Sequence, residues 1–136
     1  MKKISFVLIL CLLLSLGMNI VASAEEYAVT PRYNNVSSIG CTFFIQNDVA
    51  CATADVIGYD NLISGITVRV TLEKKGLLGL WWSDVEEWNA TSTKTSDFFE
   101  FTKNVGSGTY RCTFEITVEG SGGSADVYTD EITVKN

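Results

Sequence analysis

The chain has 136 residues, 46% of them hydrophobic, a formal net charge of -6 and no histidine. A length of this order fits one domain with one core, and the lack of histidine removes the commonest general base, the usual zinc ligand and the Ser–His and Cys–His nucleophile pairs. An acidic chain without clustered Lys and Arg is also a poor match for phosphate backbones, so nucleic acid is not an expected partner.

At the N-terminus, Lys2 and Lys3 precede an apolar run from Ile4 to Leu16, and Ala22-Ser23-Ala24 has the small-x-small form of a secretory cleavage site. The run meets Gly17 and Asn19 before it reaches the roughly 20 residues a membrane span needs. Residues 1–24 are therefore expected to be a signal peptide, with uncleaved anchoring as the alternative. Leu10 before Cys11 is not the small residue that lipid attachment requires. Residues 1–24 hold two of the ten basic residues and none of the sixteen acidic ones, so the 112 remaining residues carry a net charge of -8. The expected product is an acidic protein outside the cell, either free or loosely held at a surface.

Residues 25–39 are polar and aperiodic, with the chain's one proline at Pro31 and a Tyr33-Asn34-Asn35 cluster, and are expected to form a leader laid against a domain of residues 40–136. From Gly40 the period becomes two. Phe43 and Ile45 alternate in a first strand, Gln46-Asn47-Asp48 has turn chemistry, and a second strand runs from Val49 to Ile57. After Gly58-Tyr59-Asp60-Asn61, Ile66, Val68, Val70 and Leu72 alternate with polar neighbours. Less regular strands are expected over 80–88 and 97–102. Tyr110, Cys112, Phe114, Ile116 and Val118 then alternate strictly, which turns Cys112 toward the core. The loop Gly120-Ser121-Gly122-Gly123-Ser124 leads to a last strand over 126–134. Seven short strands with no sustained 3.6-residue period predict an all-β antiparallel sandwich.

Gly108-Thr109-Tyr110-Arg111-Cys112 resembles the start of strand F in immunoglobulin-like domains, where a tyrosine two residues before a cysteine makes a corner contact. The resemblance implies that Tyr110 caps its turn and that Cys112 faces the second strand, where Cys51 lies at a matching height. It implies a Cys51–Cys112 disulfide. The core tryptophan of that family is missing from residues 63–75, and Trp81, Trp82 and Trp88 come later. Three cysteines beyond the signal segment allow three pairings and leave one thiol over. Ala50, Ala52, Ala54 and Val56 form the more apolar side of the second strand, which would turn Cys51 outward, and a reducing exterior would leave all three thiols free.

The chain also resembles a group of small exported proteins of Gram-positive bacteria, through Pro31-Arg32-Tyr33-Asn34-Asn35, the segment from Glu73 to Trp82, and Gly108-Thr109-Tyr110-Arg111. This implies export and one-domain organisation and brings no activity.

One segment departs from what folding alone requires. Leu77, Leu78, Leu80, Trp81 and Trp82 lie in or beside a connection that also holds Gly76 and Gly79, where turns ordinarily carry Asn, Asp, Ser or Gly. Either some of these side chains fold back to close the core, or they form an exposed contact surface. Asp84, Glu86 and Glu87 near three tryptophans have the composition of a carboxylate pair for glycoside hydrolysis, yet a solvated strand edge accounts for them as well and a chain of this size leaves little room for a cleft. Asp55, Asp60 and Asn61 lack the alternating ligand loop of a calcium site. No catalytic residue, metal or cofactor is therefore expected. The expected function is a secreted non-catalytic binding module for an extracellular protein or glycan; the alternative is a membrane-active or antagonistic protein that enters a bilayer through the Leu/Trp tip.

Overall fold

The computed structural model describes residues 32–136. The expected signal peptide, Cys11 and the leader up to Pro31 lie outside these residues. Seven strands follow in chain order: β1 (Val36–Gln46), β2 (Val49–Gly58), β3 (Ile63–Lys75), β4 (Trp82–Ser92), β5 (Ser96–Asn104), β6 (Thr109–Gly120) and β7 (Asp126–Lys135). All pairings are antiparallel, in a three-stranded sheet ordered β1-β2-β5 and a four-stranded sheet ordered β4-β3-β6-β7. The protein is an all-β sandwich.

Side-chain alternation dictates which faces meet. Ala50, Ala52, Ala54 and Val56 of β2, Ile66, Val68, Val70 and Leu72 of β3, and Tyr110, Cys112, Phe114, Ile116 and Val118 of β6 are buried in one core. Phe43 and Phe99 join them from β1 and β5. At about 25 cal/mol per Å² of apolar surface removed from water, this shared layer is what holds the two sheets face to face. Asn47 and Asp48 both take positive φ, 51° and 60°, and close β1 onto β2 in a two-residue hairpin.

Because each strand reverses the one before, the loops gather at two poles. One pole holds the turn at 47–48, the loop at 76–81, the loop at 105–108 and Asn136, whose amide donates to the carbonyl of Gly108 at 2.8 Å and whose side chain reaches Asp48. The other holds residues 32–35 and the loops at 59–62, 93–95 and 121–125.

Three expectations need correction. The leader ends sooner than Ile39, because β1 starts at Val36, whose side chain is fully buried. The fourth strand starts at Trp82, two residues later than the pattern suggested, because Gly76 donates to the carbonyl of Trp81 at 2.8 Å and closes the hairpin there. The Cys51–Cys112 disulfide is absent: Cys41, Cys51 and Cys112 are all free thiols. The physical reason is the pleat. Cys112 faces inward from β6, whereas Cys51 sits between the core residues Ala50 and Ala52 and so points to the outer face of its own sheet.

Candidate functional site

The segment that joins β3 to β4 is a structured tip. Lys75 and Trp82 are the last paired residues; beyond them Gly79 donates to the carbonyl of Gly76 at 2.9 Å and adopts φ 66°, a left-handed conformation that suits glycine. A side chain on Gly76 would meet the Trp81 indole at 2.5 Å, so that ring lies directly over the glycine. Leu77 is fully exposed, and Leu78, Leu80 and Trp81 are 73%, 76% and 51% exposed. Neither leucine nor tryptophan folds back into the core, and a recess of about 330 Å³ lies beside them, lined by Lys74, Lys75, Gly76, Leu77, Trp81 and Ser83.

Trp82 does not belong to this cluster. Leu72 pairs with Glu86 and Glu73 with Asp84, so Val85 is one residue more than β3 can match, a bulge. Trp82 and Trp88 would share a face in an unbroken strand. The bulge sends them to opposite faces. Trp88 turns inward and stacks on Phe101 of the other sheet, with ring centroids 5.6 Å apart and 17° between planes. Trp82 lies on the outer face beneath the Arg111 guanidinium, 4.4 Å from its ring, and near Lys75 at 5.8 Å. Arg111 in turn binds the Glu73 carboxylate through Nη2 at 2.7 Å and Nε at 2.8 Å. Lys74 lies over the Tyr110 ring at 5.5 Å. An apolar tip with Lys74, Lys75 and Arg111 close behind it thus stands on an otherwise acidic molecule.

The acidic strand beside the tip has a different character. Glu86 and Glu87 project from opposite faces of β4. Glu86 accepts from Lys103 at 2.6 Å across the sheets, and this contact holds its carboxyl below the usual range. Glu87 is lowered by Asn89 and Arg69. Glycoside hydrolysis needs one carboxyl kept protonated by a raised pKa on the same cleft as its partner; these two are lowered and divided. Among the described residues, no group of three His, Cys, Asp or Glu side chains converges as a metal site.

Tyr110 is buried and its hydroxyl donates to the carbonyl of Gly106 at 2.8 Å, so the ring spans the corner between β5 and β6. A polar constellation that alternation passes over lies at the opposite pole. The Asp126 carboxylate accepts from the backbone amides of Asn34 at 2.7 Å, Asn35 at 2.6 Å and Val36 at 3.2 Å. Asn35 is fully buried, donates to the carbonyl of Ser124 at 3.1 Å and accepts from the amide of Gly122 at 2.9 Å. The available signal was Asp126 itself, an acid in the inward phase of Tyr128, Ile132 and Val134.

No family model and no curated protein matches the chain. Among solved structures it is similar to OgpA from Akkermansia muciniphila, with a TM-score of 0.40 and 11% identity over 79% of this chain and 32% of that one, so the chain spans about a third of that protein's length.

Proposed function

We propose that this is a secreted, non-catalytic interaction module that docks an extracellular protein through the tip formed by Leu77, Leu78, Leu80 and Trp81. One observation carries the reading: four large apolar side chains stand exposed side by side on a hairpin whose backbone is held by its own hydrogen bonds. Contiguous exposed apolar surface of this kind marks contact sites, and tryptophan is enriched where interfaces concentrate their energy. A glycan would use Trp81 as a stacking platform, but three leucines offer it little. An apolar groove on a protein suits all four. Export rests on the sequence of residues 1–24 and on the likeness to small exported Gram-positive proteins. The immunoglobulin-like reading is supported by the Tyr110–Gly106 contact, although β4 pairs with β3 where the constant-type arrangement would have it beside β5.

A second reading has its own support. Lys74 and Lys75 directly behind exposed leucines form the pairing that lets a protein rest on an anionic bilayer, with lysines at the headgroups and leucines below them. The net charge of -8 opposes it.

The double variant Leu77→Ser with Leu78→Ser separates these. Its thermal midpoint should match that of the parent, since exposed substitutions usually cost within about 0.5 kcal/mol. Capture of surface proteins on the immobilised chain should be lost. A drop of many degrees would return the leucines to a structural role. Flotation with vesicles containing phosphatidylglycerol, abolished by the same variant, would favour the bilayer.

A further inference from the structure

We propose that Cys41 and Cys112 form a disulfide that staples the β1 edge of one sheet to the β6 strand of the other. Both side chains face the space between the sheets. Cys41 shares the inward phase of Ile39, Phe43 and Ile45 and packs against the core, and Cys112 is fully buried within it.

Their heights are adjacent, Cys112 standing one inward position beyond Cys41. Val36 is tied to Asp126 by a hydrogen bond from its amide, and β1 and β7 run in the same direction from that tie. Five residues along β1 is Cys41, and because a bulge after Val36 takes up one of them it stands level with Asp130. Six along β7 is Ile132, the residue that pairs with Cys112. Asp130, just short of that level on β7, acts on the Cys41 thiol, and Cys41 acts on that of Cys112. The backbones of β1 and β6 come within 8 Å, Cα to Cα. A disulfide needs about 5.5 to 6 Å between the two Cα atoms, and the strand that would move is an edge strand paired only with β2. Cys51 has no such partner, because it lies on the outer face.

The reaction is thiol–disulfide exchange. Each cysteine loses its proton, one S–S bond forms, and the two electrons reduce a low-molecular-weight disulfide such as oxidised glutathione to two thiols. Burial pushes both thiols up to about 12, which starves the folded protein of the attacking thiolate. Oxidation therefore belongs to folding, before the sheets close, and the finished bond is shielded from reductant. The cross-link is independent of what the tip binds.

The test is refolding of the reduced, purified protein in mixed reduced and oxidised glutathione, followed by alkylation and non-reducing peptide mapping. The expected product joins Cys41 to Cys112, carries alkylated Cys51, and melts several degrees above the reduced form. Cys51→Ser should keep both the cross-link and the shift, while Cys41→Ser and Cys112→Ser should each lose them. A cross-link that includes Cys51, or three alkylated thiols in protein refolded to its native spectrum, overturns the proposal. Should Cys112→Ser fail to fold, Cys41→Ala, at the more exposed of the two positions, gives the same reading.

Discussion

Cys112 shows what a single inward position costs. Burial, with a smaller contribution from Cys41, raises its thiol from an ordinary 9.0 to about 12. In the unfolded chain the thiol ionises near 9, whereas the folded state must keep it neutral. The reduced protein thus holds its full stability below about pH 9 and loses it as the pH climbs toward 12. Each pKa unit is worth about 1.4 kcal/mol, so the loss is of the order of a few kcal/mol. Tyr128 is also raised to about 12 and adds to the same decline. Urea titrations between pH 8 and 11 should therefore show a fall that is shallower in Cys112→Ala. The inward turn of Cys112 was legible because its alternation from Tyr110 to Val118 has no exception. The partner was not. Cys51 was matched on height by analogy, while the run of alanines flanking it already pointed the thiol away from the core.

At the scale of elements, β4 and β7 are the departures from simple alternation that bear on the site, and each has a cause that composition does not display. In β4 the additional Val85 reverses the faces of Trp82 and Trp88. A bulge leaves no mark of its own in a string of residues, which is why all three tryptophans read as neighbours of one site. In β7 the inward Asp126 replaces an apolar residue because it has three backbone amides to satisfy, and those amides belong to a segment 90 residues earlier. Asp126→Ala should cost about 3 kcal/mol or more in urea denaturation, since removing an acceptor strands buried donors at roughly 1 to 3 kcal/mol each. Asp126→Asn keeps one acceptor oxygen and should cost less. Hydrogen exchange should report the same event locally, with the amides of Asn35 and Val36 losing protection first. Gly120→Ala should destabilise for a related reason: a methyl there would collide with the carbonyl of Leu62 and press on the Asn35 side chain at 2.6 Å.

In the whole molecule, the sandwich is closed differently along its two long sides. On the β4–β5 side, Trp88 stacks on Phe101 and Glu86 binds Lys103; on the β1–β7 side, the Asp126 carboxylate binds the amides of Asn34, Asn35 and Val36. The two contacts on the first side are unequal. Lys103→Met removes a half-exposed ion pair and should change stability by under about 1 kcal/mol. Phe101→Ala removes the ring on which Trp88 packs and should cost about 2 to 4 kcal/mol. Chemical denaturation of the two variants checks the order. Seven strands, and the inward residues of β3 and β6, were readable from period and turn residues alone. The division into three and four strands was not, because it depends on which strand edges meet, and that is settled by packing between distant segments.

The two-pole arrangement of loops makes the domain directional. The described chain enters at Arg32, beside the Asp126 knot, and the leucines stand at the far pole, a β3 length of 13 residues away, about 40 Å. Asn136 lies at the same pole as the leucines. A bead, dye or surface coupled ahead of Arg32 would thus hold the molecule like a handle and present the tip outward. The same attachment at Asn136 would bury the tip against the support, and a binding assay built that way would report silence from a competent protein.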